Sequence, residues 1–95
     1  MIKHIVLLKL EDNSNEHKKL VQKKILALKS KISEIVHLEV GVNFADEQRA
    51  YDVALISDFK NKEDLQSYAV NPLHVEVINY LKSKNTTSKV VDYEY

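Results

Sequence analysis

The chain has 95 residues with 14 Lys plus Arg against 14 Asp plus Glu, which describes one small domain, residues 1–95, with neither nucleic acid nor an anionic membrane surface as its main partner. All the basic residues but Arg49 are Lys, which disfavours bidentate phosphate recognition, and without Cys there is no disulfide, thiolate nucleophile or zinc–thiolate site. A single Gly excludes phosphate-cradling loops, and no apolar run approaches the ~20 residues that span a bilayer, so a cytoplasmic location is expected.

At the amino terminus Ile2, His4, Val6, Leu8 and Leu10 alternate with Lys3, Ile5, Leu7 and Lys9, a period of two that predicts a strand. One polar ring, His4, stands in the more apolar row. Glu11 to Asn15 reads as a loop and helix start, because short polar side chains satisfy orphan backbone N–H groups there. A long helix is predicted to follow, to about Ser33. At ~100° per residue Val21, Ile25, Leu28, Ile32 and Ile35 fall in one stripe, and the lysines around it form a solvated face.

Val36, Leu38, Val40 and Val42 alternate with His37, Glu39, Gly41 and Asn43, predicting a second strand in which the isolated Gly41 marks a bulge or a close approach of backbone or ligand. Tyr51 to Phe59 predicts a third strand, with Tyr51, Val53, Leu55 and Phe59 on one face and Asp52, Ala54, Ile56 and Asp58 on the other. Asn61 as N-cap and Asp64 in the first turn open a short helix carrying Leu65, Tyr68 and Ala69 on one side. Asn71-Pro72 ends it and starts another, since Asn before Pro resists the helical conformation but caps well, and Pro suits the first helical position. This helix runs from 72 to about 82, with Leu73, Val77, Ile78 and Leu81 as its apolar arc. After a turn at Asn85–Ser88, Lys89 to Tyr95 predicts the last strand, in which Val91, Tyr93 and Tyr95 alternate with Val90, Asp92 and Glu94.

The order βαββααβ is the α+β, ferredoxin-like arrangement: a four-stranded antiparallel sheet with helices on one face. The uncovered face still carries Ile5, Leu7, Ala54, Ile56 and Val90, apolar surface that a monomer would leave in water. A two-fold homodimer paired through the sheet face is therefore expected.

His74 falls inside the apolar arc of its helix and is expected to point inward. A buried histidine is most simply a core residue satisfied by a carbonyl or water, while its functional reading is a general base. Tyr68 is either an amphipathic core tyrosine or a donor to a developing enolate oxygen, and the break at Asn71-Pro72 allows it to converge with His74. His4 projects from the same sheet face. Three inward polar rings suit a small-ligand pocket better than filler, with Glu76 and Asp52 as candidate orienting partners. They do not suit a metal, because only two are His and no inward carboxylate accompanies them. His17 and His37 lie at polar positions and are expected in solvent.

The opening Met1-Ile2-Lys3-His4-Ile5-Val6-Leu7-Leu8-Lys9-Leu10, then Glu39-Val40-Gly41-Val42-Asn43-Phe44, Tyr51 to Phe59, Tyr68 through Asn71-Pro72-Leu73-His74, and Val90-Val91-Asp92-Tyr93 resemble, in that order, the stress-responsive dimeric α/β-barrel (Dabb) family. The resemblance implies that two sheets pair to close a dimeric α/β barrel. Its members include small bacterial proteins, plant stress proteins and the plant olivetolic acid cyclase, which closes a linear polyketide by aldol chemistry. Carried onto this chain, the catalytic base is His74, the assisting phenol is Tyr68, and the pocket histidine is His4, with Val6 and Leu8 beside it on the pocket wall. The residue before Pro72 is Asn71 where the family more often has His. The implied function is a cyclase- or lyase-like enzyme acting without cofactor on a small apolar or carbonyl-containing ligand. The alternatives are a non-catalytic ligand-binding or stress-related dimer and, by analogy of fold, a cofactor-free monooxygenase.

Overall fold

A computed structural model describes residues 1–95. Period-two patterning gives four strands, Ile2–Lys9 (β1), His37–Val42 (β2), Val53–Phe59 (β3) and Thr87–Glu94 (β4). Three helices join them, Asn15–Leu26 (α1), Lys62–Val70 (α2) and Pro72–Ser83 (α3). The strands form one sheet in the order β2-β3-β1-β4, every neighbouring pair antiparallel, so the expected ferredoxin-like α+β architecture is what the chain adopts. Polar caps fix the helix starts. Ser14 Oγ accepts from the His17 N–H, Asn61 Oδ1 from Asp64 at 2.8 Å and Asn71 Oδ1 from Leu73 at 2.9 Å. Asn71 also donates its N–H to the Tyr68 carbonyl at 3.1 Å, so one residue closes α2 and caps α3.

The helix predicted to about Ser33 stops at Leu26. Beyond it Leu28 N–H bonds the Ile25 carbonyl and Lys31 N–H the Leu28 carbonyl, three residues back instead of four. Leu28, Ile32 and Ile35 are nonetheless buried, because the tighter backbone delivers the same side chains to the core. The other boundaries move less: β3 starts at Val53 and not Tyr51, and β4 at Thr87 and not Lys89. Asp52 leaves the strand to clamp β1, its carboxylate accepting from the Leu10 N–H at 2.7 Å and its own N–H bonding the Leu8 carbonyl at 2.8 Å.

Between sheet and helices the core has two parts. Val6, Leu8, Leu10, Val21, Ile25, Val40, Val53, Leu55 and Leu81 form an aliphatic cluster. Ile2, Leu28, Ile32, Ile35, Phe59 and Tyr68 form the other, which contains two aromatic rings. Each buried aliphatic or Phe side chain contributes roughly 1.5–3 kcal/mol, so both parts hold the helices to the sheet.

No helix covers the other face. There the register aligns Glu39, Ile56, Ile5 and Val91 in one row and Gly41, Ala54, Leu7 and Lys89 in the next. Val90 was expected on this face. It pairs with Val6 on the helix side, and Val91 and Tyr93 take the outer positions, because the β1–β4 ladder sets the phase of the last strand. One end of this face is polar: Asp58 accepts from Lys3 Nζ at 2.8 Å and from the Tyr95 hydroxyl, with His37 Nδ1 at 3.4 Å. Burial works against the Asp58 charge, but the hydrogen bonds from Lys3 and Tyr95 and the nearby His37 hold its carboxyl below the ordinary range.

Candidate functional site

His4, Tyr68 and His74 come from β1, the end of α2 and the first turn of α3, and they meet beside the aromatic part of the core. On one uninterrupted helix, six residues would turn Tyr68 and His74 about 120° apart. Restarting the helix at Pro72 lets the two rings pack with centroids 4.2 Å apart and planes inclined by 37°. Tyr68 also meets Phe59 at 4.9 Å and His4 at 6.1 Å. The tyrosine is buried and both histidines are half-buried.

His74 Nδ1 lies 3.0 Å from the Ala69 carbonyl. A carbonyl only accepts, so Nδ1 carries the proton and Nε2 is the basic nitrogen. Burial holds the imidazole below its ordinary pKa, the Ala69 carbonyl pulls the other way, and charge on His4 adds to the depression. His74 is therefore neutral at neutral pH. Burial acts on Tyr68 in the opposite sense and pushes its phenol up to about 12, so it remains a donor across the physiological range. No hydrogen bond within the chain engages this hydroxyl, and it is not sealed from solvent: the one buried side-chain polar atom left unpaired is Thr86 Oγ1.

His4 Nδ1 donates to the carboxylate of Asp92, its direct neighbour across the β1–β4 ladder. The sequence pointed instead to Glu76 and Asp52 as orienting partners. Glu76 is exposed on α3, and Asp52 is bonded to Leu10 beyond the other end of β1. Alternation along β4 had placed Asp92 on one face; only the register makes it the neighbour of His4. Val6 and Leu8 sit in the aliphatic cluster, packed among Val21, Ile25 and Leu55. A cavity of about 450 Å³ lined by Ile2, Lys62, Leu65, Asp92, Tyr93 and Glu94 opens at Asp92, and Lys62 pairs with Glu94 at its edge at 3.1 Å. No group of three His, Asp or Glu side chains converges anywhere to hold a metal ion.

His17 was expected in solvent and is only 8% exposed. Its Nδ1 donates to the Asp12 carbonyl at 2.7 Å, so its Nε2 accepts from the Tyr80 hydroxyl at 3.1 Å. Helix periodicity underrates such a residue because its cover comes from a loop and from α3. His37 is exposed, as its position predicts.

The family model described as Stress responsive A/B Barrel Domain matches residues 2–95. No curated protein matches the chain significantly. Among solved structures, a dimeric protein of unknown function and ferredoxin-like fold from Bacteroides fragilis is 39% identical, with 99% of this chain and 95% of that one covered at a TM-score of 0.81. A protein from Arabidopsis thaliana is 24% identical with 100% and 95% covered and a TM-score of 0.84. A hydroxynitrile lyase from Passiflora edulis is 16% identical with 97% and 90% covered and a TM-score of 0.81; at that identity the likeness shows the fold alone.

Proposed function

Because the chain belongs to the Stress responsive A/B Barrel Domain family, we propose that it works as a homodimer paired through the helix-free sheet face and binds a small carbonyl compound at His4, Tyr68 and His74. The dimeric state of the Bacteroides fragilis protein supports the pairing, as do Ile5, Leu7, Val91 and Tyr93 on the uncovered face. One observation carries the chemistry: the Nδ1 proton of His74 is tied to Ala69, leaving a neutral Nε2 beside a phenol that stays protonated.

In this reading Nε2 takes a proton from a carbon activated by flanking carbonyls. The C–H electron pair moves into an enolate, whose oxygen accepts a hydrogen bond from Tyr68. The enolate carbon then attacks a further carbonyl of the same molecule, whose oxygen takes the proton back from Nε2, as in a cyclase. Run in reverse, Nε2 takes the hydroxyl proton, the carbon–carbon bond breaks to a carbonyl and an enolate, and the enolate carbon recovers the proton, as in a lyase. His4, held by Asp92, orients the ligand from the open side. Acetylacetone is a suitable probe, because exchange of its central protons with deuterium reads the first step alone by NMR. Wild type is expected to accelerate exchange, and His74→Ala to remove the acceleration. Exchange indifferent to the substitution would overturn the catalytic reading. The close packing of Tyr68 on His74 favours a second reading, a dimer that binds its ligand without turning it over; retained binding with no exchange in wild type is its signature.

A further inference from the structure

Phe44 is 99% exposed and stands two residues past the end of β2, at the border of the helix-free face. Beside it lies a shallow hollow of about 400 Å³ whose lining includes Leu7, Gly41 and Ala54, which the register sets side by side on that face. Gly41 makes the hollow possible. The β2–β3 ladder passes through it without a bulge, its φ is not positive, and a Cβ built there would meet no atom within 4 Å. Nothing inside the protomer therefore requires glycine, and a strand interior is weakened by it. The sequence left a bulge or a close approach as its meaning; the structure removes the bulge.

We propose that each protomer seats its Phe44 ring over Gly41 in the hollow of a second copy of the chain, forming two identical contacts about the two-fold axis. This inference rests on the sheet-to-sheet homodimer proposed above. An isologous interface sets one patch against itself, so a protruding group and the hollow that receives it must belong to the same patch, as Phe44 and Gly41 do. The hollow is continuous with the outward row Ile56, Ile5 and Val91, so a second copy covering that row also covers the hollow. A side chain at Gly41 would fill the space that the partner ring needs.

Sedimentation equilibrium of wild type, Phe44→Asp and Gly41→Val, each accompanied by circular dichroism, tests the contact. Phe44 makes almost no contact within its protomer and the Gly41 Cβ would meet none, so both variants are expected to keep the wild-type fold. Each is expected to raise the dimer dissociation constant at least about tenfold, as loss of a buried aromatic anchor does, with Gly41→Ala in between. A wild type that is monomeric at micromolar concentration overturns the sheet dimer and this inference together. A wild-type dimer that either folded variant leaves equally tight overturns the Phe44–Gly41 contact alone. The two substitutions act on opposite sides of one contact, so either folded variant decides it.

Discussion

The protein contains two histidine–tyrosine pairs that differ in how completely the fold uses them. His17 and Tyr80 are satisfied by the chain: both ring nitrogens and the phenol have protein partners, and the pair ties the loop before α1 to α3. His74 and Tyr68 pack more closely, 4.2 Å against 6.2 Å between centroids, yet only Nδ1 is engaged, and neither Nε2 nor the phenol has a partner in the chain. The first pair holds structure together; the second leaves Nε2 and the phenol without partners in the chain, which is what the proposed base and donor roles require. Burial of a histidine is thus no guide to function until its two nitrogens have been accounted for.

The largest expected difference between the pairs is in stability. His17→Ala should cost about 2–3 kcal/mol in urea unfolding, because it removes two hydrogen bonds and leaves the Tyr80 hydroxyl and Asp12 carbonyl without their partner. His74→Ala should cost less than half of that. Equal losses would erase the distinction. Next, Tyr80→Phe should lose about 1 kcal/mol of stability without affecting acetylacetone exchange, whereas Tyr68→Phe should keep its stability and slow exchange about tenfold, worth ~1.4 kcal/mol of barrier.

The pH dependence separates the pairs more finely. The folded-state pKa of His74 lies below that of the unfolded chain, so the unfolded chain takes up this proton first as pH falls through about 6.5. Stability should therefore decline below that pH and be unaffected by this group above it. His74→Gln should flatten that part of the urea-midpoint profile between pH 5 and 7.5; an unchanged slope would assign the effect elsewhere. At high pH the sign is again unfavourable to the fold: the unfolded phenol ionises near its ordinary ~10, before the buried Tyr68 at about 12, and Tyr68→Phe should remove the last step of the tyrosine absorbance titration. The smallest effect is expected from Asp92→Asn, which keeps an acceptor for His4 but not its charge. It should change exchange only a few-fold, with stability within about 0.5 kcal/mol, since Asp92 is exposed.

The sequence alone determined the architecture, since alternation and helical stripes name which side chains of Ile2, Val6, Leu55 or Ile32 must be covered, and the Asn71-Pro72 pair states where one helix must give way to the next. It also nominated His4, Tyr68 and His74, because each interrupts an apolar pattern. Only the tertiary structure decided what these rings touch. The pairing of Asp92 with His4, the side of β4 on which Val90 lies and the cover that Tyr80 gives His17 all depend on contacts between residues far apart in the chain. Periodicity fixes the face on which a side chain stands. It does not fix the register of a neighbouring strand or the loop that closes over it, and those set which nitrogen of a histidine remains free.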